Sequence, residues 1–536
     1  MKNYMFIGIA IVMLTFCLVY TGCDPNSGNT QVADPSAFPF PQGSASLATY
    51  AIKPMLPTDK AGAEQKMINL TKEILNNNLI FDSRVPLTKS KFRIVLEHHT
   101  SYPTNGTTII EQHITVSESM GYGMLLLAYM AGSEAALTTA GHTWRFGADS
   151  LKDYYDGMLR TVLSFQSPLQ GRNTKQHSWE LFGYNTGRND TGLSVNNIST
   201  NHTRGFRYLE DSNTSPKIAP FANTPAGGPN GGGGTTGYNN TGTSSATDGD
   251  MDIIYSLIVA DKQWGSDGKY NYKELALEML DGFYEYVVHK AYSTLLLGDW
   301  AYNATPNTAT SALRNGTRPS DFILSHLRAY KAIDTKNDWQ AVIDATLNVI
   351  IDVRDALHAD DAPNNGLLPD FAVRSTVTAD KWIPAPSGFL EGTNDGRYSW
   401  NSCRTPWRLG TDYLLYGDTP MPSGSLTNPS LYTYSIKPLN DFAKARVGED
   451  TNNMAGLNAG YSLDAPLANA TQGANAGFAA PFLVTAAAVG GDQAWVDAFW
   501  VHSGTFSFMN DWYGDYYKLI TMITASGNFW KPEAVN

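Results

Sequence analysis

Cysteine is scarce: three residues in 536, at positions 17, 23 and 403. Cys17 and Cys23 fall in and just after an N-terminal apolar run, which leaves Cys403 alone, so no intrachain disulfide is expected. A chain of this size buries enough surface to stand without one. Positive charge is also short, with 38 Lys and Arg against 50 Asp and Glu and a formal net charge of −12. That excludes the broad basic face that nucleic-acid phosphates demand. After the N-terminus the helical segments are amphipathic, and none is a uniformly apolar run of the about 20 residues needed to span a bilayer. Alternating strand patterns are sparse, Phe92 to Leu96 being the clearest. His113 and the pair His98-His99 lack partners at metal-ligand spacing. The triplet Asp248, Asp250 and Asp252 fails as a calcium loop, because Ile253 stands where Gly is needed and Val259 where a bidentate Glu is needed. No metal and no other cofactor is expected.

What remains is helical periodicity. Apolar residues recur at three and four in Met251, Ile254, Leu257 and Ile258, and again from Asp338 to His358. Further helices are expected at Met120 to Gly132, Leu151 to Ser164, Lys273 to His289, Pro319 to Ile333, Pro406 to Tyr416, Phe482 to Trp500 and Trp512 to Ala525. The pattern fits an all-α fold. Lys2, the apolar run Tyr4 to Tyr20 and Thr21-Gly22 before Cys23 read as a secretory signal over residues 1–22, with Cys23 as the lipid acceptor of a cell-envelope lipoprotein. Tyr20 stands where such signals usually carry a Leu-like residue, so ordinary cleavage nearby and an uncleaved anchor stay open. Residues 23–48 are rich in Pro, Ser, Gly and Asn, the composition of a tether. Residues 49–536 read as one domain, in which the Gly- and Asn-rich stretch Asn223 to Ser245 is a long loop leading into Asp248.

One acidic residue stands out. In Thr115-Val-Ser-Glu-Ser-Met-Gly-Tyr-Gly-Met124, Glu118 lies at the mouth of an apolar, glycine-punctuated helix start. Desolvation there would raise its pKa and suit it to donate a proton near neutral pH. The alternative is a helix N-terminus, with Ser117 as cap and Glu118 complementing the helix dipole.

The run VSESMGYGM resembles the signature around the proton donor of glycoside hydrolase family 8. Three further segments are similar to that family in its order: Ala246 to Trp264, Arg318-Pro-Ser-Asp-Phe322 with Cys403-Arg-Thr-Pro-Trp-Arg408, and the closing stretch Tyr517 to Trp530. Ile254 departs from the usual Ala of the second segment. The likeness runs from about Lys89 to Trp530 and implies a six-hairpin (α/α)6 barrel and inverting hydrolysis of β-1,4-glycosidic bonds. It implies Glu118 as general acid and Asp248 as a sugar-binding carboxylate at the point of cleavage. Inversion also needs a carboxylate base on the opposite face of the sugar.

At Tyr398-Ser-Trp-Asn-Ser-Cys-Arg404, where many members carry an Asp as base, this chain carries Asn401. An amide cannot take a proton from water. In one subgroup of the family a loop carboxylate takes the role, and Gly388-Phe-Leu-Glu-Gly-Thr-Asn-Asp-Gly396 offers two. Glu391 resembles the subgroup's base more closely; Asp395, in Asn-Asp-Gly, is the alternative and has the chemistry of a turn residue. Asp370 is a third choice. Tyr122 is expected to hydrogen-bond near the acid. Arg404 and Arg408 would fix carboxylates or sugar hydroxyls, or form buried ion pairs. Trp179, Trp400 and Trp407 are stacking platforms or core residues. Asn401 is counted with the substrate-binding group. The polymer is expected to be a β-glucan first, then chitosan, then xylan. Two rivals are a glycan-binding lipoprotein that has lost its base and a polysaccharide lyase, which would want basic residues where these motifs are acidic.

Overall fold

The computed structural model describes residues 36–81, 93–95, 109–144, 149–164, 180–186, 208–209, 217–218, 245–303, 313–357, 364–375, 381–421, 428–463, 473–505 and 512–535. Twelve of the described helices carry the architecture: α1 (Lys60–Asn77), α2 (Ser117–Tyr129), α3 (Leu151–Ser164), α4 (Thr247–Trp264), α5 (Tyr272–Tyr286), α6 (Leu324–Ile333), α7 (Trp339–Leu357), α8 (Thr405–Tyr416), α9 (Lys437–Arg446), α10 (Pro481–Val489), α11 (Gln493–Thr505) and α12 (Trp512–Ala525). The even-numbered helices form a closed ring, in which α2 packs on α4, α4 on α6, α6 on α8, α8 on α10, α10 on α12, and α12 back on α2. The odd-numbered helices lie outside it, α1 on α12, α3 on α2, α5 on α4, α7 on α6, and α9 and α11 on α10.

Sequence composition explains the two layers. Every residue of α2 is buried, as are most of α4 and α10, so these helices are enclosed on all sides. Helix α7 is amphipathic instead, burying Val342, Ile343, Thr346, Leu347, Ile350 and Val353 at steps of one, three and four. The observed helices follow the periodicity closely. Leu151–Ser164 matches its expected bounds, while Phe482 to Trp500 is cut into α10 and α11 by Gly490 and Gly491, both at positive φ. The stretch from Pro319 begins with a tight turn, Pro319–Asp321, before α6 starts at Leu324. The expected Ser117 cap is not made. Val116 precedes α2, with the Ser119 hydroxyl bonding back to it, and the Thr247 hydroxyl bonds the carbonyl of Leu296. Strands are short, the longest pairing Ile109–Val116 with Glu180–Thr186. A three-stranded sheet, Gly316–Thr317, Ala372–Arg374 and Trp382–Pro384, leads into the segments that carry Arg318 and Asp370.

The expected tether ending at residue 48 runs too far. Residues 36–55 form a strap across the C-terminal ends of the inner helices. Ala37 N–H donates to the Gln263 carbonyl at 2.9 Å, Phe40 N–H to Ala131, Ile52 N–H to Leu414 and Met55 N–H to Ala487. Phe38 packs on Trp530 at 4.6 Å between ring centroids, and Phe40 and Tyr50 are buried. The few aromatic residues in this Pro- and Ser-rich stretch suffice to dock it, since a buried Phe contributes about 1.5–3 kcal/mol. Cys23, residues 1–22, Trp179, the His98-His99 pair and all but the last residue of the Asn223 to Ser245 loop lie outside the described residues.

Candidate active site

At the opposite end of the ring, the N-terminal ends of the inner helices converge. Two glycines set how closely. A Cβ on Gly121 would lie 2.7 Å from the Cβ of Asp252, and one on Gly249 would lie 2.6 Å from the backbone carbonyl carbon of Ser117. Helices α2 and α4 therefore meet backbone to backbone at their first turns, which brings Glu118 and Asp248 into one buried cluster.

The Glu118 carboxyl is 5% exposed and is pushed up to about 7 by burial, with neighbouring Asp248 adding to the shift and Arg404 opposing it. Its hydrogen bonds are one-sided. Oε1 accepts from the Tyr122 hydroxyl at 2.6 Å, from Tyr517 at 3.3 Å and from Nη1 of Arg404. Among the described residues none donates to Oε2, so the proton of the neutral acid belongs on Oε2. Asp248 is the opposite case. Burial works against its charge, but Arg404 at 2.6 Å and Arg318 at 3.3 Å hold its carboxyl down at about 2.

Arg318 and Arg404 carry the cluster toward Glu391. The Nη2 of Arg318 donates to Glu391 Oε1 at 3.3 Å, and the Asn401 side-chain amide donates to Oε2 at 2.7 Å. Glu391 is solvent-facing, its side chain 49% exposed, on the loop after the three-stranded sheet. That loop is built around Asp395. The buried Asp395 carboxylate accepts the backbone N–H groups of Leu390, Glu391 and Gly392 at 2.7, 3.1 and 2.9 Å. Asp395, the alternative base, is thus turned inward and spent on the turn. Asp370 is likewise inward, one oxygen accepting from the N–H groups of Ser399, Asn401 and Ser402 and from the Ser402 hydroxyl.

Other expected residues divide between site and core. Arg404 lies in the site; Arg408 makes a buried two-pronged ion pair with Asp252, which also meets His326. Trp407, expected as a stacking platform, is 1% exposed and sandwiched by the Arg408 guanidinium, Tyr122 and Tyr517, so no face of it is open to a sugar. Tyr122 is fully buried and reaches the site only through its hydroxyl. Trp400 is 38% exposed beside Asn401 and packs edge-on to Phe478, leaving ring surface available for stacking.

No role followed from the sequence for Arg318, Ser320, Asp321 or Tyr517, although their segments stood out. Asp321 is fully buried 3.9 Å from both Arg318 and Arg404, and burial pushes its carboxyl up to about 7. The signal available was an Arg and an Asp three apart across Pro319, a charged pair at a helix entry. Nothing in that spacing tells that both would be buried.

Known proteins share this arrangement of chain. The family model for glycosyl hydrolases family 8 matches residues 234–463. The chain is 32% identical over 434 residues to a protein named β-glucanase from Niallia circulans, an alignment covering 81% of this chain and 80% of that one. It is 32% identical over 289 residues to an endoglucanase from Bacillus sp. (strain KSM-330), covering 54% of this chain and 55% of that one. The apo structure of a β-1,3-1,4-glucanase from Paenibacillus sp. X4 superposes with a TM-score of 0.64 at 28% identity, over 92% of this chain and 99% of that one. The double ring of helices is the (α/α)6 barrel of these neighbours. With both sequence and fold in agreement over most of its length, the chain belongs to glycosyl hydrolase family 8.

Proposed function

We propose that this glycoside hydrolase is an inverting endo-β-1,4-glycanase acting on a cellulose-type or mixed-linkage β-glucan, of the subgroup with Asn at the usual base position. The observation that carries it is the contrast between two adjoining carboxyls, Glu118 held near 7 with Oε2 undonated and Asp248 held near 2. Glu118 delivers its Oε2 proton to the glycosidic oxygen as the C–O bond breaks. Glu391 takes a proton from the water that adds to the anomeric carbon from the other face. Asp248, ionised at every working pH, holds a hydroxyl of the sugar at the point of cleavage.

Glu118 and Glu391 are linked through Asp248 and two guanidinium groups, not directly. This is compatible with the about 6.5–9.5 Å separation that admits a water in inverting enzymes. The names of the relatives, β-glucanase, endoglucanase and β-1,3-1,4-glucanase, support β-glucan ahead of chitosan and xylan. The composition of the N-terminal segment supports secretion, with Cys23 as lipid acceptor.

The test is release of reducing ends from carboxymethyl-cellulose, mixed-linkage β-glucan, chitosan and xylan by residues 36–536, beside a Glu118→Gln control. Release from a β-glucan that the control lacks is the expected result. Tight binding without release from any polymer would make the protein a glycan binder.

A further inference from the structure

The Asn401 side-chain amide stands between Arg404 and Glu391. Its Oδ1 lies 3.2 Å from Nη2 of Arg404, and its Nδ2 lies 2.7 Å from Oε2 of Glu391. A guanidinium only donates, so the amide oxygen must face Arg404 and the amide nitrogen must face Glu391. The residue is also held from behind. Its backbone N–H donates to Asp370 at 3.1 Å, and its carbonyl accepts from Nε of Arg404 at 3.1 Å.

We infer that Asn401 is a positioning residue: polarised by Arg404 on one side, its amide donates to Glu391 on the other and fixes the carboxylate that activates water. The inference rests on Glu391 being the base. It also explains the departure at this position, because an aspartate has no N–H to donate and would set like charge against Glu391.

The charged surroundings offset that repulsion only in part, because the two nearby guanidinium groups, Arg404 at 3.2 Å from the Asn401 side chain and Arg318 at 3.3 Å from Glu391, are both shared with other carboxylates. Glu391 faces Arg318, which is already paired with Asp248 and stands 3.9 Å from Asp321. Asp395, on the same loop, is turned onto the backbone, and Asp370 lies behind Asn401. Arg404 is already shared by Glu118 and Asp248. Two carboxyls at hydrogen-bond distance would therefore share one proton, and ionisation of the pair would move to higher pH.

The experiment compares pH profiles of kcat on soluble β-glucan for the wild type, Asn401→Ala, Asn401→Asp, Glu391→Ala and the Glu391→Ala/Asn401→Asp double variant. Asn401→Ala is expected to lower kcat about 10- to 100-fold, with KM little changed and a small upward shift of the acidic limb. Asn401→Asp is expected to move that limb up by about one pH unit or more, leaving the alkaline limb in place. In the Glu391→Ala background the second substitution should cost nothing further. An unshifted acidic limb in Asn401→Asp, or its full loss repeated in the double variant, overturns the assignment. Should Asn401→Asp not fold by circular dichroism, Asn401→Ala carries the same test, and an unshifted limb there overturns it. Near-normal activity of Glu391→Ala would remove the base itself; an inactive Glu391→Ala beside an unshifted Asn401→Asp removes only the role of the amide.

Discussion

Glu118 and Glu391 are the same residue type in opposite settings. Glu118 sits in the first turn of a helix with no exposed residue, locked by the close approach of α2 and α4; Glu391 rides a surface loop held by three hydrogen bonds to Asp395. Burial decides the first, keeping a proton on a carboxyl near neutral pH even though the helix N-terminus and Arg404 both favour its charge. Hydrogen-bond donors decide the second, since Arg318 and Asn401 orient both oxygens without drying them. On the proposed reading, one type of side chain serves as both acid and base because packing places one and a loop places the other.

The largest effect expected from breaking this contrast is on the buried member. Glu118→Gln should lower kcat/KM on unactivated polysaccharide by about 10²- to 10⁴-fold, and by much less on an aryl glycoside whose leaving group needs no proton. Equal losses on both would remove it as the acid. Glu391→Ala should fall by a comparable factor, and azide should restore part of the rate with a product of inverted anomeric configuration, checked by NMR. Absence of rescue would place the base elsewhere. Asp395→Ala sharpens the comparison, because a loosened loop should cost only about 10- to 100-fold and gain nothing from azide. If instead that variant is the one azide rescues, Asp395 is the base.

The smallest effect is on stability, and its sign is fixed by proton binding. The Glu118 carboxyl, ordinarily near 4.5, is raised to about 7 in the fold, so the native state holds that proton more tightly than the unfolded chain. The stability this contributes is complete below about 4.5 and is lost as the pH rises through about 7. Glu118→Gln is neutral throughout, so between pH 5 and pH 8 it should gain on the wild type by roughly 1–3 kcal/mol, read from denaturant midpoints. A difference that does not change with pH would mean that Glu118 is not a buried proton holder. The same proton predicts activity falling as the pH rises past about 7.

How much of this could be read in the chain depends on whether the cause is local. Helix periods are local, so α3 and α12 were delimited by their apolar spacing, and the pairing of Glu118 with an apolar, Gly-rich turn foretold its desolvation. Ring order is not local, and the (α/α)6 arrangement came from family likeness. Helices α1 and α9 were not among the expected ones, although in α1 the buried Ala63, Met67, Ile68, Thr71, Ile74 and Leu75 recur at three and four, so there the local signal was present. The fate of Trp407 and Arg408 was decided by neighbours more than 100 residues away in α2, α4 and α12, which spacing along the chain cannot reveal. Asp395 was separable from Glu391 in kind, as a turn residue, but only the three convergent N–H groups exclude it from the cleft.

The strap binds the barrel at one end. Its hydrogen bonds land on the ends of α4, α8 and α10 and on the carbonyl of Ala131 beyond α2, while Phe38 and Tyr50 grip the segment after α12. The docking of residues 36–55 is therefore spread over several spokes of the ring, not confined to one helix. These anchorages lie at the far end of the inner helices from Glu118 and Glu391. If the chain is tethered as proposed, its point of attachment and its two carboxyls lie at opposite ends of the barrel, and neither intrudes on the other.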